Sequence, residues 1–174
     1  NEQALEAAIE KALTGNCLED LKEAENTVQE AQALYRSANG FYIGNTNDFN
    51  AKYAIDETRF WHFLEETQKD ELEKLQRSAD WKLKILQRYD RMVKKYGILR
   101  LLRKGLEVED AHFNLLYQLP MASSSQRVKD NFEKNEFSVT RQVRYNLENT
   151  REEIDMVVFV NGLAIATLEL KNQW

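Results

Sequence analysis

Over residues 2–13 and 56–96 apolar side chains recur every three or four positions, the spacing that gathers them on one face of a helix. Leu5, Ile9 and Leu13 keep that spacing through residues 2–13, with acids between them. Thr14-Gly15-Asn16 supplies turn residues that end this helix. Residues 17–37 continue the helical bias. Asn39-Gly40 and Gly44-Asn45 predict a loop around Phe41, Tyr42 and Phe49. The strongest helical stretch is 56–96, where Asp56 is placed to cap a helix carrying Phe60, Phe63 and Leu64. Leu72, Leu75, Leu83, Leu86 and Tyr89 extend the apolar stripe, which predicts a core face or a helix hairpin. Gly97 ends the run. A compact segment over 98–120 closes at Pro120, the only proline, and Ser123, Ser124 and Ser125 form a polar loop.

From Phe137 the period changes to two. Phe137, Val139, Arg141, Val143 and Tyr145 alternate with polar residues, which predicts a strand with one wet face. Ile154 to Val160 is an almost continuous apolar run, as in a buried strand. Asn161-Gly162 is a strong signal for a type I′ turn, and Leu163 to Leu170 is a second apolar run. Helices followed by three sequential strands, the last two in a tight hairpin, predict an α/β or α+β fold.

Two charges interrupt the apolar runs. Asp155 opens the first strand of the hairpin, and Glu169 closes the second with Lys171 two residues beyond. A hairpin turning at Asn161-Gly162 pairs each position with its mirror across the turn. Asp155 then falls opposite Thr167 or Leu168, within a residue or two of Glu169. Two carboxylates and one ammonium are therefore expected at one end of the hairpin. Phosphodiester hydrolysis calls for such a set: oxygen donors for Mg²⁺, with the Leu170 carbonyl as a third, and a lysine to orient or deprotonate water. The plainer alternative is an ordinary hairpin end, with Asp155 capping a turn and Glu169 and Lys171 forming a solvated pair.

Composition narrows the classes. The chain has 174 residues, 43% hydrophobic and 30% charged, enough for a real core. Its net charge of −5 means that any DNA contact must come from a local patch. The densest basic cluster is Lys94, Lys95, Arg100, Arg103 and Lys104, which is either an electrostatic footprint or a solvated face. Arg141 and Arg144 either meet phosphates or pair with Glu152 and Glu153. Cys17 is the only cysteine, which excludes an internal disulfide and a multi-thiolate zinc site and points to a reducing cytoplasm. His62 and His112 share no metal-ligand spacing. No stretch approaches a membrane span, and there is no G-x-x-x-x-G-K-[ST] phosphate loop, so no ATP site is expected in this segment.

Residues 137–173 resemble the N-terminal endonuclease domain of the type I restriction enzyme R subunit, a branch of the PD-(D/E)XK nuclease superfamily. The resemblance is carried by Arg141-Gln142 with Tyr145, by Ile154-Asp155 through Phe159-Val160-Asn161-Gly162-Leu163, and by Glu169-Leu170-Lys171-Asn172. Upstream, Gly105, Phe113, Tyr117 and Pro120 are similar to the segment preceding these strands in that family. The resemblance implies metal ligation by Asp155 and Glu169 and a catalytic role for Lys171. It also brings in Glu6, which matches an acidic helix residue that completes such sites. Ile154 replaces the proline of the formal motif, and the Gln-x-x-x-Tyr helix that follows the lysine in the family lies beyond Trp174.

The resulting expectation is a restriction-endonuclease-like mixed sheet with a helical N-terminal part and a helical insertion. One domain would cover 1–174: helices over 1–44, an insertion over 45–104, and a sheet with the catalytic hairpin over 105–174, cut short at its C-terminus. The implied activity is Mg²⁺-dependent cleavage of double-stranded DNA without sequence reading. Methyltransferase and specificity subunits would be partners, and ATP would act only through motor domains outside this segment. The alternatives are another nuclease of the same superfamily acting in DNA repair, or a non-catalytic helical interaction module.

Overall fold

The computed structural model describes residues 2–25, 40–149 and 152–171. The expected helix over 17–37 is observed as far as Glu25, and positions 26–39, with Asn172, lie outside the described residues. The chain packs as two compact units, Asn1–Glu57 with Glu136–Trp174, and Thr58–Asn135.

The first unit holds a six-stranded mixed sheet in the order β1-β6-β7-β8-β3-β2. Its strands are β1 (Phe41–Ile43), β2 (Phe49–Asn50), β3 (Ile55–Asp56), β6 (Phe137–Arg144), β7 (Glu153–Val160) and β8 (Leu163–Leu168). β6, β7 and β8 are the expected antiparallel meander. Phe41–Ile43, expected in a loop, is instead a strand running parallel to β6. Its partner lies far along the chain, and Phe41 stacks on Phe137 with ring centroids 5.6 Å apart. Gly44 continues the pairing by donating to the Val139 carbonyl (2.8 Å). A Cβ there would lie 2.0 Å from the Thr140 hydroxyl, so only glycine fits.

Helices α1 (Glu2–Thr14) and α2 (Leu18–Glu25) complete this unit. α1 packs on β1 and β6, and the face it buries is not the apolar one. Glu6, Glu10 and Thr14 are buried, whereas Leu5 is 45% exposed. The charges beneath the helix decide this, as described below. β6 also departs from the single wet face expected: Ser138, Val139, Thr140, Arg141 and Val143 are all buried. It is an interior strand between β1 and β7, and α1 packs against it. β8 departs the other way. Ile165, Ala166 and Thr167 are exposed despite their apolar run, because β3 pairs with β8 only at Leu163.

The second unit contains α3 (Glu57–Thr67, from Thr58), α4 (Lys69–Leu75), α5 (Trp81–Tyr96), α6 (Ile98–Lys104), the hairpin β4 (Leu106–Val108) and β5 (Ala111–Phe113), and α7 (Gln126–Glu133). Phe60, Phe63, Leu64, Leu72, Ile85 and Phe113 are almost fully buried. Leu83 is 44% exposed and leaves the predicted stripe, since Ile85, Leu86 and Tyr89 define the buried face of α5. Gly97, at φ 78°, ends α5, and α6 starts immediately after it. The fold is the α/β class read from the sequence, with a mixed sheet consistent with a restriction-endonuclease-like arrangement.

Candidate active site

The β7–β8 hairpin is built on a two-residue turn. Asn161 and Gly162 have φ of 50° and 78°, the positive values that a type I′ turn requires. The turn is held from both sides. Asn161 accepts from the Glu136 amide and donates to the Glu136 carbonyl, both at 2.7 Å. The Gly162 carbonyl accepts from the Asp56 amide at 2.8 Å.

Register then decides what meets at the far end. Val160 pairs with Leu163 and Phe159 with Ala164, but Val158 pairs with Ala166 and Met156 with Leu168. Ile165 is the extra residue of a β-bulge. Were Ile165 paired in an unbroken ladder, Asp155 would face Leu168. With the bulge, the register carried one step past the Met156–Leu168 pair sets Asp155 against Glu169. The mirror rule used on the sequence misses this one-residue step, because nothing distinguishes Ile165 from its apolar neighbours.

Asp155 is half-buried, and its Oδ2 accepts from the Leu170 amide at 2.5 Å. This bond ties the start of β7 to the backbone between Glu169 and Lys171. Glu169 and Lys171 are exposed, and neither forms an ion pair among the described residues. Tyr145, hydrogen-bonded to Glu152 (3.1 Å), carries a report of Glu169. Its phenol is pushed above the ordinary tyrosine range, first by Glu152 and to a lesser degree by the Glu169 charge.

On β6, Gln142 lies opposite Asp155, bracketed by the pairs Arg141–Met156 and Val143–Ile154, yet it is unpaired itself. Its φ is 55°, unusual for a residue with a side chain. The strand turns over at this point. Thr140 and Ser138 pair with Val157 and Phe159, and an unbroken alternation would send Val143 to the other face. Val143 instead packs with Val157 and Phe159 in the core. The same turn lets Gln142 reach the helix that Arg141 contacts.

That helix contact is ionic. Glu6 accepts from Arg141 Nε (2.9 Å), and its two oxygens accept from Gln142 Nε2 at 2.9 and 3.0 Å. Arg141 Nη1 also reaches Glu10 (3.3 Å) and Glu19 (2.8 Å). Burial works against the Arg141 charge, but the carboxylates more than offset it and raise its pKa. Burial pushes the Glu10 carboxyl up, opposed by the Leu18 amide and Arg141. Arg141 therefore reaches neither Glu152 nor Glu153, and its 6% exposure leaves it unavailable to a phosphate. Arg144 takes the simpler course and pairs with Glu153 at 2.7 Å. Glu6 serves as a counter-ion for Arg141, with both oxygens in use.

The free oxygen donors at the hairpin end are thus Oδ1 of Asp155, the Glu169 carboxylate and the Leu170 carbonyl. All are hard ligands, suited to Mg²⁺ rather than to a thiophilic metal. Among the described residues no group of three or more His, Cys, Asp or Glu side chains is placed to hold a metal ion. A cation at this end would accordingly keep several waters, as Mg²⁺ usually does. No helix among the described residues is long and apolar enough to cross a membrane.

A family model described as the type I restriction enzyme R protein N terminus matches residues 20–174. The match includes the whole hairpin and Arg141 but not Glu6 or Glu10. No curated protein and no solved structure matches the chain.

Proposed function

We propose, from the premise that the chain belongs to the family of the type I restriction enzyme R protein N terminus, that it is an endonuclease domain performing Mg²⁺-dependent, sequence-indifferent hydrolysis of double-stranded DNA. The observation that carries this reading is the Asp155–Leu170 hydrogen bond at the open end of the hairpin. It fixes one carboxylate beside the backbone that bears the second carboxylate and the lysine.

In this reading Asp155, Glu169 and the Leu170 carbonyl hold the metal. When bound, Mg²⁺ supplies neutralisation of phosphate charge and lowers the pKa of water. Lys171 is free of any carboxylate among the described residues, so its ammonium is available to orient or deprotonate the attacking water and to stabilise charge on the phosphoryl oxygens. Asp155 has a second role: by accepting from the Leu170 amide it sets the direction of the chain entering Lys171. Glu6 is left out of the ligand set, because both of its oxygens already serve Arg141 and Gln142. The methyltransferase and specificity subunits of a restriction complex are the partners proposed with this role, with ATP acting only through other domains. The cytoplasm is the proposed compartment, and the buried reduced Cys17 fits it.

The test is Mg²⁺-dependent nicking of supercoiled plasmid by the full-length protein. Asp155→Ala should abolish nicking, and Lys171→Ala should lower it roughly 100-fold without weakening DNA binding. Equal cleavage by the parent and Asp155→Ala would overturn the assignment.

A further inference from the structure

Helices α5 and α6 carry a charge pattern opposite to that of the chain. Residues 81–104 contain nine lysines and arginines against one acid, Asp90, whereas the whole chain is at −5. On α5, Lys84, Arg88, Arg91 and Lys95 follow at intervals of four, three and four residues, which places them along one face. Arg100, Arg103 and Lys104 share a face of α6 in the same way. The opposite faces are core: Ile85, Leu86 and Tyr89 on α5, Leu101 and Leu102 on α6.

Four of the nine cations are engaged within the fold, beginning with Lys82, which lies over the Trp61 and Trp81 rings (4.8 and 5.3 Å). Lys84 pairs with Glu109 (2.9 Å), Arg88 donates to the Glu107 carbonyl (3.0 Å), and Lys94 pairs with Asp90 (2.8 Å). Arg91, Lys95, Arg100, Arg103 and Lys104 are exposed, and none is paired with a carboxylate among the described residues. At the corner between the helices Tyr96 is flanked by Lys95 (4.9 Å from the ring centroid) and Arg100 (4.3 Å). Lys95 first, then Arg100 and Arg88, holds its phenol below the ordinary range, which registers the positive potential there.

We propose that the outer faces of α5 and α6 form a second DNA contact, one that grips the phosphate backbone of double-stranded DNA without reading bases. The stripe from Lys84 to Lys95 is about 17 Å long at a rise of ~1.5 Å per residue. That length spans about five phosphates of one strand at ~3.4 Å each. Exposed guanidiniums at Arg91, Arg100 and Arg103 present forked donors that match phosphate oxygens. An anionic membrane fits less well, since the exposed aliphatic side chains of the two helices are Leu83 and Leu99, too few to form an inserting face. Binding here does not require the chemistry assigned to Asp155.

The experiment is titration of the full-length protein against a fluorescent DNA duplex in EDTA, across a salt series. Arg91, Lys95, Arg100 and Arg103 are replaced together by Gln, and a control replaces Lys52, Lys69, Arg77 and Arg127. The quadruple Gln variant should bind about 100-fold more weakly at low salt, and the slope of log K against log salt should fall by about 3.6. The control should lose far less. Equal losses in the two variants, unchanged binding by the first, absence of binding by the parent, or tighter binding of the parent to vesicles of anionic phospholipid would each overturn the proposal. The titration is run in EDTA, where no Mg²⁺-dependent nicking occurs, so its outcome is separate from that of the nuclease reading.

Discussion

Arg141 is one guanidinium set among three carboxylates, and the imbalance has measurable consequences. Glu6 and Glu10 are almost fully buried, so at least part of their charge is held at a cost. Glu10 bears it most plainly: burial raises its pKa above 4.5, and its Oε1 is buried with no hydrogen-bond partner. A raised carboxyl pKa means that the folded state binds the proton more tightly than the unfolded one. Stability then falls as pH rises from about the unfolded value of 4.5 through the folded pKa. Glu10→Gln keeps an acceptor for the Leu18 amide and removes the charge, so it should flatten this decline in a pH series of urea melts. A variant with the same decline as the parent would show that Glu10 is not its source. Arg141→Ala should be costly, by about 3–5 kcal/mol, because it strands buried carboxylates. Arg141→Lys should not restore the loss, since an ammonium cannot serve Glu6, Glu10 and Glu19 with one planar fork. None of this was legible in the sequence. Leu5, Ile9 and Leu13 mark an apolar face of α1, but a helix laid over a buried arginine turns its acids inward. Only the fold shows that Arg141 is beneath it.

At the scale of elements the hairpin was legible and its bulge was not. Asn161-Gly162 announces a turn because both positions need positive φ, and the flanking apolar runs can only be strands. From these alone Asp155 is brought near Glu169. The last step, from Leu168 to Glu169 as the facing residue, comes from Ile165, whose extra backbone unit leaves no compositional trace. β1 escaped for a related reason: a three-residue strand has no period to detect, and its pairing to Phe137–Val139 is long-range. The bulge yields a direct prediction. Deleting Ile165 restores an unbroken ladder and keeps Asp155 opposite Glu169, because Ala166 to Leu168 then follow Ala164 with the partners they already have. Residue 165 is exposed, so the fold should survive with a small change in melting temperature, and nicking should stay well above the level of Asp155→Ala. Nicking as low as that of Asp155→Ala would show that the facing of Asp155 and Glu169 is not what sets the site.

At the scale of the whole molecule the distribution of charge governs how the metal must be sought. Nine cations are gathered in residues 81–104, so the remainder of the chain is more acidic than the net −5 indicates. Mg²⁺ will therefore collect weakly on many exposed carboxylates, and calorimetry on the parent alone would record that background. A specific site differs in two ways: it acts on particular backbone groups, and it depends on particular carboxylates. The Leu170 amide is the natural reporter, because it donates to Asp155 and its carbonyl is a proposed ligand. In an amide NMR titration Leu170 should shift and saturate with Mg²⁺ at lower concentration than the exposed acids of α4. In Asp155→Ala its response should drop to that background. Raising the salt to about 0.5 M should erase the diffuse shifts and leave the Leu170 response largely intact, since screening acts mainly on exposed, separated charges. A Leu170 response that vanishes together with the diffuse ones, or that persists in Asp155→Ala, would place the metal elsewhere.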